Sequence, residues 1–287
     1  MHAKYIRTVF KVVLSAFYYM SADGAFQLVP TSHTFDFDTK VWQKLSQEEK
    51  EKKNYQRLNS FPVVLPLTPP NNAFWLDKQA RYSLTANKLA KLQTSIIRMC
   101  ACEMGMKPAE STITDGTASV GGNTFDFVNH FAHVNAIELN KDTAQMLSHN
   151  LELLQLSGKV TVWQGDCTNI TGAAKHFRHD ILFLDPPWLG ENYRTYTYLS
   201  LYLSGQNVRK VCCDWARSGT KLIALKLPNN FNYNEFLYES EKLPFTLMYS
   251  AEIGTDPQKN ARAIRYGSGE ARRGFRCIMN IAILCAR

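Results

Sequence analysis

No uninterrupted apolar run in the sequence reaches the roughly 18–20 residues that a membrane-spanning helix needs. The nearest candidate, Thr8 to Met20, follows Lys4 and Arg7 and is broken by Lys11. Ser21-Ala22-Asp23-Gly24-Ala25 comes next and only faintly imitates a signal cleavage site. The stretch reads better as an N-terminal strand or helix packed on the body, so no membrane partner is expected. A disulfide framework is also lacking. The seven cysteines are odd in number, Cys212 adjoins Cys213, and Cys100 and Cys102 are one residue apart. No Cys-x-x-Cys pair and no histidine spacing suits a metal, so none is expected, and a reducing, intracellular setting is. Internal repeats and low-complexity tracts are absent. Neither sign of charge is extreme: 33 Lys and Arg against 25 Asp and Glu give +8, which permits a polyanionic partner such as nucleic acid without establishing one. With 45% hydrophobic and 20% charged residues, the 287-residue chain can bury a full core and is not of disordered composition.

Residues 1–80 read as an N-terminal extension and a candidate for substrate contact, and 81–287 as the main domain. Within the extension, Gln47 to Lys53 is a charged, solvated helix face. Phe61 to Pro70 carries four prolines and is extended or a linker. Thr85 can cap a helix whose Leu89, Leu92, Ile96 and Met99 fall at helical spacing. From residue 111 short strands and helices alternate. Strands are expected at Thr112–Asp115, Val134–Glu138, Val160–Trp163, Asp180–Asp185 and Lys221–Leu227, with a helix from Asp142 to Leu156. Two late apolar segments, Phe245–Ile253 and Phe275–Ala286, can close the sheet as a hairpin. That rhythm predicts a doubly wound α/β sheet with its ligands at the carboxyl ends of the strands.

The residues at those ends carry the chemistry. After the first strand runs Asp115-Gly116-Thr117-Ala118-Ser119-Val120-Gly121-Gly122-Asn123-Thr124, a loop whose glycines let backbone approach a ligand. The second strand ends in Glu138, about twenty residues on, where an acid can accept two ribose hydroxyls. The spaced triple glycine of NAD sites is missing, since Thr117 and Ser119 precede Gly121. The third strand leads to Asp166, which can accept the amino group of an adenine. Loop, acid and acid suit a nucleoside cofactor without a pyrophosphate, such as S-adenosyl-L-methionine. The fourth strand ends in Asp185-Pro186-Pro187-Trp188. The prolines stiffen the turn, so that Asp185 and the Pro186 carbonyl can accept hydrogen bonds from a planar exocyclic amine. Trp188 offers a face on which a base can stack, worth about 1–3 kcal/mol.

These residues together resemble trimethylguanosine synthase, the RNA cap guanine-N2 methyltransferase family. The family's Asp-x-x-x-x-Val-Gly-Gly-Asn-Thr is present as Asp115 to Thr124, and its Ser-Pro-Pro-Trp-Gly-Gly-Pro-x-Tyr is similar to Asp185 to Tyr193. Tyr82 to Ala90 is similar to its aromatic-Ser-Val-Thr-Pro-Glu-Lys-Ile-Ala segment, and Leu225 to Asn230 to its strand ending in Pro-Arg-Asn. The likeness spans Tyr82 to about Phe236. It implies a class I, Rossmann-like methyltransferase with a seven-stranded sheet and S-adenosyl-L-methionine as cofactor. It implies that Thr85, Asp115, Thr117, Gly121, Asn123 and Thr124 hold the methionine end, with Glu138 on the ribose and Asp166 on adenine. Asp185, Pro186 and Trp188 would be catalytic. Trp188, Tyr193, Lys226 and Asn230 would bind the cap, and basic residues near Lys226 and in the tail would meet its phosphates. Three departures stand out: Asp185 for the family's Ser, Ser119 for a usual Gly and Asn229 for Arg. Such divergence suits a remote member, for instance one encoded by a large DNA virus.

The implied substrate is a 7-methylguanosine-capped RNA. Two rivals remain open at this point. Asp185 favours an amino methyltransferase acting on adenine in RNA or DNA, and Ser119 with Thr117 leaves room for an inactive RNA-binding subunit. Lys259, Arg262, Arg265, Arg272, Arg273 and Arg276, with Tyr266 and Phe275 among them, form a candidate RNA backbone contact. Phe74 and Trp75 are expected in the core, or as a second wall of a base sandwich. The sequence is silent on oligomeric state.

Overall fold

The computed structural model describes residues 74–76, 80, 84–169, 178–256, 261–266 and 276–287. The readings of Thr8–Met20, of 47–53 and of 61–70 lie outside the described residues, as do Tyr82, Ser83, Lys259, Arg272 and Arg273.

Five parallel strands form the centre of one sheet: β1 (Thr112–Asp115), β2 (His133–Glu138), β3 (Val160–Gln164), β4 (Ile181–Leu184) and β7 (Leu222–Leu227). β8 (Phe245–Asp256), β9 (Ala261–Tyr266) and β10 (Arg276–Ala286) complete it antiparallel, in the order β3-β2-β1-β4-β7-β10-β8-β9. The seven strands of the expected class I sheet are therefore present, and β9 adds an eighth at the edge. The two late apolar segments pair as expected, with β9 between them in sequence. β5 (Tyr202–Leu203) and β6 (Gln206–Asn207) form a separate small ribbon, turned by Ser204 and Gly205, both at positive φ.

Alternation along the strands sorts the core into two layers. Ile181, Phe183, Leu222, Ala224, Ile281 and Ile283 pack on one face against α1 (Asn87–Glu103), which presents Leu89, Ile96 and Ile97. Leu182, Leu184, Ile223, Leu225, Ala282 and Leu284 pack on the other, against Val208, Val211 and Trp215 of α4 (Val208–Arg217). Covered on both faces, β4 and β7 are buried at every residue.

Helix ends explain two differences from the sequence reading. α1 begins at Asn87 after Ala86, with no side-chain cap, so Thr85 lies one residue too early to cap it. Beyond the short α2 (Thr124–Phe127), α3 (Lys141–Leu153) starts at Asn140, whose side chain accepts the Asp142 and Thr143 N–H groups. It stops short of Leu156 because Gln155 takes φ 57° and the Leu156 N–H returns to the Leu151 carbonyl.

Candidate active site

Chain order runs from β1 outward to β2 and β3, then returns to β4 beside β1 and proceeds to β7. The crevice over the carboxyl ends of β1 and β4 is thus the point where strand order reverses, the usual place for a ligand in such a sheet. Asp115 ends β1, Glu138 ends β2, and Asp185 follows β4.

The loop after β1 is built by its own side chains. Asp115 is 1% exposed, accepts the Thr124 hydroxyl at 2.7 Å and the Thr117 N–H at 3.3 Å. Burial pushes its carboxyl up to about 7, partly opposed by the Thr124 and Thr117 bonds. Asn123 donates to Gln93 on α1 at 2.6 Å. Two glycines are sterically required. Gly121 has φ 109°, and a Cβ there would lie 2.2 Å from the Phe125 ring. A Cβ on Gly122 would sit 2.9 Å from the Thr85 nitrogen, so the loop and the segment before α1 meet backbone to backbone.

Glu138 accepts the Ser119 N–H on one oxygen and the Asn140 N–H on the other, each at 2.9 Å, which fixes the carboxylate at the strand end. Asp166 follows β3 and accepts the Thr168 N–H at 2.8 Å. Burial raises its carboxyl, but bonds from Ser204 and Thr168 outweigh this and hold it below the ordinary carboxylate range. The tip of the β5–β6 ribbon thereby reaches the third strand end, a contact that local sequence does not announce. Three carboxylates along three adjacent strand ends suit a ligand with an ammonium, a diol and an amino-purine, so the residues present fit S-adenosyl-L-methionine.

The Asp185 turn is tied to this loop, since its N–H donates to the Thr117 hydroxyl at 2.7 Å. Pro186 is buried and Pro187 exposed. Trp188 is half-buried and meets Tyr193 edge to face, with ring centroids 5.3 Å apart. Its indole N–H is buried and has no partner among the described residues. Asn230 donates to the Tyr193 and Tyr196 carbonyls at 2.9 and 2.7 Å, so it holds the loop that carries Tyr193.

Lys226, expected among the substrate-binding residues, is bound within the protein. It is 6% exposed, its ammonium lies 2.5 Å from Asp185 Oδ2 and 3.0 Å from the Thr85 hydroxyl, and it faces the Trp188 ring at 5.6 Å. A buried ammonium already shared between a carboxylate and a hydroxyl is not displayed to cap phosphates. The signal that could have revealed this pairing was a single cation in an otherwise apolar strand. Trp75 is also corrected from core: it is 45% exposed and stacks on His149 of α3 at 3.8 Å, while Phe74 meets Phe125. In the basic tail, Arg262 and Arg265 belong to β9 and Arg276 begins β10. Among the described residues no group of acids, cysteines and histidines could hold a metal, all seven cysteines are free, and no helix is long and apolar enough to cross a membrane.

A family model described as RNA cap guanine-N2 methyltransferase matches residues 110–265. A protein of Acanthamoeba polyphaga mimivirus, itself called uncharacterized, is 34% identical over 125 residues, which is 43% of this chain and 48% of the relative. Trimethylguanosine synthase of Schizosaccharomyces pombe is 30% identical over 170 residues, 58% of this chain and 67% of the relative. The match therefore spans about half the length of the viral relative and two thirds of the yeast one. Among solved structures, precorrin-6y C5,15-methyltransferase of Geobacter metallireducens superposes with a TM-score of 0.46 at 13% identity, over 79% of this chain and 100% of that one.

Proposed function

The chain belongs to the RNA cap guanine-N2 methyltransferase family, whose members use S-adenosyl-L-methionine, and from that premise we propose that it methylates the exocyclic amine of a 7-methylguanosine RNA cap. The observation that carries this reading is the bond from the Asp185 N–H to Thr117, which couples the Asp-Pro-Pro-Trp turn to the Asp115–Thr124 loop at the β1–β4 crevice.

When bound, the cofactor supplies an electrophilic methyl group. Asp115 would face its ammonium, Glu138 its ribose hydroxyls and Asp166 its adenine amine. Thr117, Gly121, Asn123 and Thr124 would line the methionine end. The side chains of Asn123 and Thr124 are already bonded to Gln93 and Asp115, so their part would run through backbone. Trp188 would stack on the base, with Tyr193 set against its edge. A base carrying positive charge gains a further cation–π attraction on indole. Asp185 and the Pro186 carbonyl would accept the two N–H bonds of the amine and aim its lone pair. Such an amine is conjugated with its ring and a poor nucleophile, so orientation is the main service the site performs. After transfer the amine has one proton to lose, and Asp185 would accept it. Capped RNA as substrate agrees with the +8 charge and implies an intracellular site of action, in nucleus or cytoplasm.

A second reading, methylation of an adenine amine, is favoured by Asp185 alone. Transfer of labelled methyl to 7-methylguanosine-capped, guanosine-capped and uncapped RNA separates them. Label confined to the methylated cap is expected. Equal labelling of uncapped RNA would support the adenine reading, and cofactor-free RNA binding without transfer would support a non-catalytic subunit.

A further inference from the structure

β7 reads Leu222-Ile223-Ala224-Leu225-Lys226-Leu227 and is buried at all six positions. A lysine there is costly. Its ammonium loses water and its chain loses rotamer freedom, so such a group persists only when paired. The pairing here is specific. Thr85 and Trp188 flank Lys226, and its closest contact is the carboxylate of the residue that opens the Asp-Pro-Pro-Trp turn.

Asp185 offers its two oxygens unequally. Oδ2 accepts the ammonium, whereas Oδ1 accepts no hydrogen bond from the described residues, and 21% of the side chain remains accessible. One oxygen is thus occupied within the protein while the other is open to a ligand in the crevice. The charged groups that face this carboxyl are Lys226 from β7 and Asp115 from the end of β1, with the neutral Thr117 and Thr85 beside them. Burial raises the Asp185 carboxyl above the ordinary carboxylate range, and Lys226 is the group that limits this rise.

We propose that Lys226 is a positioning residue of the methyl-transfer site, which keeps Asp185 ionised and fixes its Oδ1 as the acceptor for the substrate amine. This rests on the amine-methylation reading given above. The chemistry makes the ionisation state matter. An ionised Oδ1 accepts an N–H and leaves the nitrogen lone pair free to attack. A protonated carboxyl would donate its O–H to that lone pair and could not take the proton the amine must lose. The Asp at this position, where the related family carries Ser, and the buried Lys226 therefore act as one unit.

The test compares wild type with Lys226→Met, Lys226→Arg and the double variant Asp185→Ser/Lys226→Met. Two readouts are taken: the pH–rate profile on capped RNA, and infrared titration of buried carboxyls in the cofactor-free protein. Removing one close opposite charge moves a carboxyl by about 1–3 pH units. Lys226→Met is expected to move the acidic limb of the profile upward by that amount and to regain rate at alkaline pH. A protonated carboxyl additional to that of Asp115 should appear at neutral pH in Lys226→Met and vanish in the double variant. At saturating cofactor, which removes the Asp115 contribution, Lys226→Arg should keep the wild-type limb and the double variant should lose it. An unmoved limb in a folded Lys226→Met protein, with no new protonated carboxyl, overturns the proposal. Should Lys226→Met fail to fold, Lys226→Gln, which keeps a donor without the charge, carries both readouts. If wild type transfers no methyl to capped RNA, the substrate reading fails, and the infrared titration still decides the role of Lys226.

Discussion

Ser119 and Leu189 hold φ of 48° and 60°, the left-handed region, at two positions where the family's motifs carry glycine. The turn geometry is kept although the residue that suits it has gone. For Ser119 the penalty is about 1–2 kcal/mol, less the greater chain entropy that glycine loses on folding. Ser119→Gly should therefore raise stability by about 0.5–1 kcal/mol, seen as a higher midpoint in thermal unfolding. Asp115 gives a second prediction. With its carboxyl pushed up to about 7, it is largely neutral below that pH. In the proposed site the cofactor ammonium would favour the carboxylate, so binding would expel the proton at low pH. Affinity for S-adenosyl-L-methionine should rise as pH increases through 7 and level off above it. Calorimetry in buffers of different ionisation enthalpy should register proton release at pH 6. Asp115→Asn should bind more weakly, with a flat profile.

At the scale of the element, Asp180 joins the starts of three strands. Its carboxylate accepts the Thr112 N–H of β1 at 2.9 Å and pairs with Arg178 at 2.9 Å and Lys221 at 3.2 Å. Burial raises its carboxyl, yet the Thr112 N–H and the two cations outweigh this and hold it below the ordinary range. A depressed carboxyl contributes stability above its unfolded value and loses it as pH falls through the folded one. Arg178 and Lys221 are mostly exposed and screened by water, so the backbone bond supplies the larger part. Asp180→Ala should cost about 1–3 kcal/mol at neutral pH in urea unfolding. The difference from wild type should shrink as pH falls below the ordinary carboxylate range. The same logic of non-local anchoring explains Thr85. Its sequence neighbours suggested a helix cap, but a lysine 141 residues away in the chain takes its hydroxyl.

Over the whole molecule, what could be read in advance was what local chemistry determines. Ile181-Leu182-Phe183-Leu184 is apolar at each step because both faces are covered, and that run announces a central strand. Glu138 and Asp185 stand at strand ends because a strand cannot bury them within its length. The pairing of the two late apolar segments was legible, but their order was not: β10 lies between β7 and β8, and β9 extends the edge, through contacts no local pattern encodes. The site was legible as a set of strand ends and turns. The internal ties from Lys226 to Asp185 and from Ser204 to Asp166 required the fold. The measurement that bears most directly on the function is the identity of the methylated nucleoside. Capped RNA that contains adenosine is incubated with the protein and S-adenosyl-L-methionine, digested, and analysed by mass spectrometry. The account predicts methyl gain on the 7-methylguanosine of the cap, abolished in Trp188→Ala and Asp185→Ala. Methyl gain on adenosine with an unchanged cap would contradict it.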